Sequence, residues 1–428
     1  MVATLTGSLD PILKDFYAGP IADTLNREIE MVDMFNKSKI SWVGRKGIMS
    51  VRTGRNSGRG FVAENGTLPT AGQNQYADLV FEAKYLYGRT EITGPAIAQA
   101  KASAGAFVNA LKEELDGAIE TVKDDANATM FFGGGTVGFL NQRKTEAVAA
   151  NWEFSGNYSE IPANLSPVDC KIVRCDTYEQ VGAAITVQRA PALTATPGTV
   201  LLDALDTSAV ADGVACALVI LNDTAVPVAP TINQAMGIYG NLAAGTYTNP
   251  TQHFTAERDT VAGGAESLHS TILTAATGAG TRAAITTQRI QAMLDEIASQ
   301  SGTSPDMLYC NYIFRQEYAE LMNDNLRVDV RDGKKGGDPG FDMGQLSFNG
   351  LPLKASRHCG KGLLIALNRK SWNLVEVQSP GLADLDGSVL SRAAGRDAYE
   401  AFVRWYYNLI CKQPNRNGII CGINFSGA

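Results

Sequence analysis

A glycine pattern close to residue 135 has the spacing of a known ligand-binding motif. Gly133, Gly135 and Gly138 match Gly-x-Gly-x-x-Gly, in which the missing side chains let a dinucleotide pyrophosphate approach the backbone. That chemistry needs a β-strand before the glycines and an α-helix after them. A long helical pattern precedes Gly133 instead, so the sequence predicts a glycine turn that ends a helix.

Two loops have compositions that suggest phosphate or calcium binding. Residues 54–60 are glycine-rich, but no Gly-Lys-Ser or Gly-Lys-Thr follows them, which excludes the phosphate loop of nucleotide hydrolases. Residues 384–387 resemble half of a calcium loop. Leu382 and Ala393 occupy the positions of its first and last ligands, and neither side chain binds calcium. A solvated turn is therefore the preferred interpretation.

Histidine and cysteine form no recognisable metal site or catalytic pair. His253, His269 and His358 have no partner at the spacing of metal ligands. Cys359 follows His358 directly, but neighbouring side chains on a strand point to opposite faces. The seven cysteines include no Cys-x-x-Cys and indicate reduced, mostly buried thiols in a cytosolic product. We therefore expect no enzyme activity, no cofactor and no metal.

One long amphipathic helix is the strongest structural signal. It follows Thr93, a suitable N-cap, has Pro95 in its first turn, and ends before residues 133–135. Unbroken, its roughly 36 residues would span about 54 Å. The apolar stripe is narrow, so we expect the helix to lie along a surface. The stripe includes Phe107, Leu111, Leu115 and Ile119.

A long hairpin precedes this helix. One strand runs over residues 46–53, and a return strand places Phe81, Tyr85 and Tyr87 on one face. The connection between the strands is polar and rich in glycine, and residues 42–63 hold five basic side chains and no acidic one. Such a long connection is unusual in a compact domain unless it acts outside it. A solvated basic loop is the alternative.

The rest of the chain divides into a β-rich and an α/β region. Residues 139–285 contain short β-like segments whose order the sequence does not determine. In the following region, Asn349-Gly350 predicts a hairpin and residues 399–411 predict a long half-buried strand. A helix ending near Gly302 is predicted from the spacing of Ile290, Met293, Leu294 and Ile297.

Composition limits the class of protein. Of the 428 residues, 45% are hydrophobic, enough for a large core, and the formal charge of −7 argues against a surface devoted to nucleic acid. Residues 145–281 form a distinct acidic segment, with 4 basic and 13 acidic side chains. No signal peptide pattern and no run of 18 apolar residues occurs, so we expect neither export nor a membrane span.

An ordered series of stretches gives a resemblance to a known family. The stretches are residues 54–60 with 64–69, 84–89 with 92–94, 131–135, 348–353 and 417–420. In this order they resemble the tailed-phage major capsid proteins of the Hong Kong 97 fold. The likeness covers about residues 9–140 and 285–425 and is weak between them.

The resemblance implies an α+β Hong Kong 97-type capsid fold with named parts. These are an N-arm (1–45), an E-loop hairpin (46–93), a spine helix of the peripheral domain (94–132), peripheral-domain strands with a β-rich insertion (133–285), an axial domain (286–378) and C-terminal strands that return to both domains (379–428). It also implies self-assembly into hexamers and pentamers of an icosahedral shell around packaged double-stranded DNA. The protein would be located in the virion, after assembly in the host cytoplasm.

Contacts between subunits are expected from the arms. The basic E-loop would lie on an acidic patch of the adjacent subunit, through Arg52, Arg55, Arg59 and Glu64. The N-arm would contact a neighbour, or pack on its own domain, through Ile21, Leu25, Ile29 and Phe35. No lysine lies between residues 47 and 83, so we expect a shell without covalent cross-links through the E-loop.

The resemblance also implies further partners, and other classes of protein remain as alternatives. A separate scaffolding protein, a portal, optional decoration proteins and loose, sequence-independent contact with DNA are expected, and no membrane. The main alternative is another virion structural protein, such as a tail-tube or decoration subunit. A cytosolic enzyme with a β-rich lid and a secreted surface-layer protein are weaker alternatives.

Overall fold

The computed structural model has an α+β fold. It describes residues 31, 34–38, 42–43, 46–94, 104–133, 136–143, 151–156, 168–174, 185–189, 199–203, 216–220, 234–244, 252–258, 266–275, 283–323, 346–383, 391–392 and 395–424. No helix in these ranges is long and apolar enough to cross a membrane.

The first half of the chain contains one long helix and many strands. In order they are β1 (Asn36–Ser38), β2 (Trp42–Val43), β3 (Lys46–Gly54), β4 (Gln75–Glu82), β5 (Lys84–Thr93), α1 (Ala104–Phe131), β6 (Thr136–Arg143), β7 (Asn151–Gly156), β8 (Val168–Arg174), β9 (Ile185–Arg189), β10 (Thr199–Asp203) and β11 (Cys216–Ile220).

In the described residues of the second half, strands alternate with two shorter α-helices. In order they are β12 (Gln252–His253), β13 (Ala256–Glu257), β14 (Thr271–Thr274), α2 (Thr287–Ser301), β15 (Met307–Cys310), α3 (Tyr312–Asn323), β16 (Ser347–Phe348), β17 (Leu351–Ala355), β18 (Leu364–Leu367), β19 (Trp372–Leu382), β20 (Ser391–Arg392), β21 (Ala398–Cys411) and β22 (Gly418–Cys421).

A five-stranded sheet is built around β21, the long strand expected at 399–411. β5 runs antiparallel to it from Lys84 opposite Tyr407 to Thr93 opposite Ala398. β19 and β20 also pair with β21, and β1 lies parallel to β19. Residues alternate between core and surface from Ala401 to Tyr407, as in a half-buried strand, whereas all residues from Tyr407 to Cys411 are buried.

Helix α1 packs against the buried face of this sheet. It is continuous over 28 residues, about 42 Å, while residues 95–103 of the predicted spine lie outside the described part of the chain. Val122, Ala126 and Met130 are buried, and Gly88 of β5 provides the space for close approach. A Cβ atom at Gly88 would lie 2.7 Å from Cγ2 of Val122. At this point only the Val122 side chain lies between helix and strand.

The end of α1 connects the two main sheets. The ring of Phe131 contacts Tyr309 of β15 edge to face at 5.8 Å, and both residues belong to the core cluster that includes Trp405. The helix then stops at Gly133, which has a φ of 54°. The sequence prediction of a glycine turn that ends a helix is confirmed at this residue.

The second sheet has the strand order β14-β22-β18-β15-β17-β16. Helix α2 covers one face, and its predicted apolar stripe is confirmed by the burial of Ile290, Met293, Leu294 and Ile297. Thr286 caps its first turn, and Gly302, with a φ of 68°, ends it. Asn349 and Gly350 both have positive φ in the turn between β16 and β17, which confirms the predicted hairpin.

The division between the two sheets differs from the boundary expected at residue 378. Strand β19 starts at Trp372 and pairs with β21 and β1, so it belongs to the five-stranded sheet. The difference arises because apolar alternation identifies a strand but not its partner.

The β-rich segment forms a closed antiparallel barrel with the strand order β10-β7-β6-β11-β8-β9. The described chain leaves the core at Gly133 and re-enters it at Met236, and these two residues form an isolated antiparallel bridge. Phe139 of β6 contacts Phe132 at 5.4 Å and Tyr239 at 4.9 Å. The barrel is thus an insertion whose two ends meet at one place.

Removing the space at Gly88 tests the helix–sheet contact. We expect Gly88→Ala to lower the free energy of unfolding by about 1–3 kcal/mol, because Val122 is β-branched and cannot move aside easily. Urea denaturation of the unassembled subunit measures the change. Gly381→Ala in β19 is the matched control, since a Cβ there meets nothing within 4 Å. Equal stabilities for the two variants would contradict the packing described.

Candidate intersubunit surface

The hairpin of β3 and β4 has a base fixed in the body of the subunit. Leu79 and Phe81 of β4 are buried in a cluster with Leu268, Val375 and Ile410, which come from distant parts of the chain. Burial of side chains of this size contributes roughly 2 kcal/mol each. The base of the hairpin is therefore part of a folded core.

Thr255 joins the outer edge of β4 to the hairpin of β12 and β13. Its Oγ1 donates to the carbonyl oxygen of Asp78 at 2.6 Å and accepts from the amide of Val80 at 3.0 Å. One hydroxyl thus satisfies two backbone groups on a strand edge. Phe254 adds an edge-to-face contact with Phe81 at 6.2 Å.

A buried cation lies behind Thr255. The Arg258 guanidinium donates to the carbonyl oxygen of Asn241 at 2.6 Å, to that of Leu242 at 3.3 Å and to Nδ1 of His253 at 2.9 Å. Burial lowers the pKa of Arg258 to about 10, so it remains charged at neutral pH. These bonds tie the β12–β13 hairpin to the segment at 241–242.

His253 completes this network in its neutral form. Its Nε2 donates to the carbonyl oxygen of Cys411 at 2.7 Å, which leaves Nδ1 to accept from Arg258. Burial, together with the charge of Arg258, lowers the pKa of His253 to about 3. The hairpin that supports β4 is therefore held to the end of β21.

The tip of the hairpin, residues 55–74, has no regular secondary structure and is exposed except at two half-buried glycines. Gly58 and Gly72 approach so closely that a Cβ on Gly72 would lie 2.4 Å from the Gly58 nitrogen. The Asn56 side chain accepts from the Gly58 amide at 2.7 Å. Beyond the close approach of Gly58 and Gly72, Phe61 and Leu68 are exposed, with relative accessible areas of 111% and 81%. An apolar surface of this kind on a projecting loop indicates a contact site.

The predicted E-loop residues lie on this hairpin. All four side chains are exposed, and within the described residues none forms an ion pair; they are Arg52, Arg55, Arg59 and Glu64. The sequence predicted the basic face from charge, but it did not identify the apolar residues Phe61 and Leu68. The signal that could have identified them was the presence of two large apolar residues within a polar, glycine-rich segment.

The other predicted contact residues have mixed outcomes. Leu115 and Ile119 are half-buried on α1, and Ile119 packs against the core, while the side chains of Phe107 and Leu111 lie outside the described set. Ile21, Leu25 and Ile29 also lie outside the described residues. Phe35 is buried in the core of its own subunit, 5.7 Å from the ring of Trp372. It is therefore not available to a neighbour, so Phe35 agrees with the alternative in which this segment packs on its own domain.

The outer face of the five-stranded sheet carries an aromatic group, of which the sequence placed Tyr85 and Tyr87 on one face but did not identify the contact with Tyr406. Tyr85 and Tyr87 are more than half exposed, and both contact Tyr406 edge to face, at 5.0 and 5.7 Å. Arg89 pairs with Glu400 further along the same face. The return strand predicted from the sequence is divided at Ala83: β4 pairs with β3, β5 pairs with β21, and the face that buries Phe81 becomes exposed at Tyr85.

The described residues contain no group of three or more His, Cys, Asp or Glu side chains that could hold a metal. Burial raises the pKa of both Cys310 and Cys411 to about 12, which makes these thiols unreactive at neutral pH. The titratable groups with large shifts are thus structural.

Thr255 can be tested by a matched pair of substitutions. Thr255→Val removes both hydrogen bonds at constant shape and should speed hydrogen exchange at the Val80 amide about fivefold to tenfold. Thr255→Ser keeps the hydroxyl and should stay close to wild type. Equal exchange in the two variants would show that the hydroxyl does not hold the hairpin.

His253 predicts a pH dependence of stability. Its folded-state pKa, about 3, lies below the unfolded value near 6.5, so only the unfolded chain gains the proton as pH falls through this window. Stability should therefore fall below pH 6.5, by up to about 1.4 kcal/mol per pH unit. Between pH 7 and pH 5, wild type should lose about 2 kcal/mol more than His253→Gln in urea denaturation. An identical pH dependence in both would refute this role.

Comparison with known proteins supports the fold. No family model and no curated protein sequence matches the chain. A chain of the cyanophage A-1(L) capsid asymmetric unit matches with a TM-score of 0.52 and 12% identity, over 98% of each chain. A Mycobacterium phage Bobi chain matches with a TM-score of 0.45 and 12% identity over 99% of this chain and 100% of the other. A Gordonia phage Cozz chain matches with a TM-score of 0.47 and 10% identity, over 95% of this chain and 90% of the other.

Of these three matches, only that with the cyanophage A-1(L) capsid chain exceeds a TM-score of 0.5. It extends over 98% of both chains. The resemblance found in the sequence is thus confirmed at the level of the fold: this chain is folded like a phage capsid subunit.

Proposed function

We propose that the chain is the major capsid protein of a tailed double-stranded DNA bacteriophage. It assembles into hexamers and pentamers of an icosahedral shell around packaged DNA. The observation that carries this function is the β3–β4 hairpin, whose base is part of the core and whose tip exposes Phe61 and Leu68. A subunit that meets several neighbours needs such an extension, because it must form contacts beyond its own body.

The exposed side chains of this extension include several cations. Arg52, Arg55 and Arg59 lie along the hairpin and its tip, and the chain as a whole carries a net charge of −7. The hairpin therefore lies on an acidic region of the adjacent subunit. Each exposed ion pair contributes only about 0–1 kcal/mol, but a shell closes many copies of the contact at once.

The remaining parts have roles that follow from the same arrangement. Helix α1 and the five-stranded sheet form the peripheral domain, and the six-stranded sheet with α2 and α3 forms the axial domain. The segment before residue 31, with Ile21, Leu25 and Ile29, is an N-arm that contacts a neighbour. The E-loop residue Glu64 pairs with a cation of that neighbour.

The proposed partners are other copies of the chain, a separate scaffolding protein, a portal and optional decoration proteins. Contact with DNA is loose and independent of sequence, as the acidic net charge favours. The proposed role is structural and not enzymatic, which agrees with the buried, structural character of the strongly shifted titratable groups in the described part of the chain. It resides in the virion after assembly in the host cytoplasm.

A second candidate is another virion structural protein, such as a tail-tube or decoration subunit. Electron microscopy and sedimentation of the purified chain, with its scaffolding protein where needed, distinguish the candidates. Closed shells with five-fold vertices are expected. Tubes or discrete small particles would exclude the capsid function.

Charge reversal tests whether the basic side chains of the hairpin form ion pairs with the adjacent subunit. Arg55→Glu with Arg59→Glu should reduce shell yield at least about tenfold at low salt, because four units of charge change at each contact. Arg369→Glu with Lys370→Glu is the matched control, since these side chains are exposed in a turn away from the hairpin tip. Normal yield and salt stability in the hairpin variant would refute the ion-pair contact.

A further inference from the structure

A cleft of about 280 Å³ lies at the base of the β3–β4 hairpin. Three separate segments form it: β3, the short turn at 266–268 and the chain just after β21. The lining residues are Val51, Arg52, Ser267, Leu268, Lys412 and Gln413. The cleft is thus shared between the hairpin and the body that supports it.

Among the described residues that line the cleft, the polar side chains include two cations and no acid. Arg52 and Lys412 are cations, while Ser267 and Gln413 can each donate from a hydroxyl or an amide. Within the described residues, none of these four side chains has a hydrogen bond or an ion pair. Two like charges beside one cleft repel each other, and an anion between them would relieve that repulsion.

The apolar lining indicates the kind of anion. Val51 is half-buried and Leu268 is only 1% exposed, so an apolar surface adjoins the two cations. The methylene groups of an aspartate or glutamate side chain fit such a surface, whereas a backbone phosphate gains nothing from it. The chain has 44 acidic and 37 basic side chains, so its own copies carry a surplus of carboxylates.

We infer that this cleft binds an acidic side chain of a second copy of the chain, an inference that rests on the proposed shell function. The carboxylate bonds to Arg52 of the hairpin and to Lys412 of the body at the same time. It therefore connects two parts of one subunit, so the arrival of a neighbour stiffens the base of the hairpin that reaches out to another subunit.

Substitutions at Lys412 test the cleft. Lys412→Met removes the charge at nearly constant length, and the subunit concentration for half-maximal assembly without DNA should rise about fivefold. Lys412→Arg keeps the cation and should assemble within about twofold of wild type. Lys370→Met, on an exposed turn, is the control and should not change assembly. Thermal unfolding of each unassembled subunit verifies that the fold is unchanged.

The outcomes separate this inference from the proposed function. If wild type forms shells and Lys412→Met forms them equally well, the cleft binds no neighbour and the inference fails alone. A defect that occurs only when DNA is packaged would assign the cleft to phosphate and also overturn it. If wild type stays monomeric in sedimentation at every concentration even with its scaffolding protein present, the proposed function fails as well.

Discussion

The close approach of helix α1 to strand β5 determines how the subunit presents its contact surface. Gly88 allows Val122 to lie directly on the strand, and the ten residue pairs of β5 with β21 hold that strand in the sheet. Because β5 continues from β4 with only Ala83 between them, the packing of the helix also sets where the hairpin leaves the body.

Hydrogen bonds also hold the outer edge of β4 at the base of the hairpin. The buried charge of Arg258 is stabilised by hydrogen bonds to two backbone carbonyls and to His253, while its Nε is buried without a partner. These bonds hold the hairpin of β12 and β13, whose Thr255 bonds to the edge of β4. The base of the hairpin is thus held by packing and hydrogen bonds, whereas the apolar side chains of its tip are exposed in the single subunit. That combination suits a contact formed on assembly.

Local features of the structure were predictable from the sequence, and nonlocal ones were not. The stripe of α2, the glycine turn at Gly133 and the hairpin at Asn349 follow from spacing and backbone conformation within a few residues. The barrel order, the place of β19 and the burial of Phe35 depend on partners far along the chain. For the candidate site, charge identified the basic hairpin, but exposure of Phe61 required the folded structure.

The central claim is that the hairpin tip acts on another subunit. Hydrogen exchange of residues 55–74, compared between the unassembled subunit and the purified particle, measures this directly. The tip amides lack regular secondary structure, so they should exchange rapidly in the subunit and become protected in the particle. Equal, rapid exchange in both states would contradict the account, because the tip would then have no partner in the assembly.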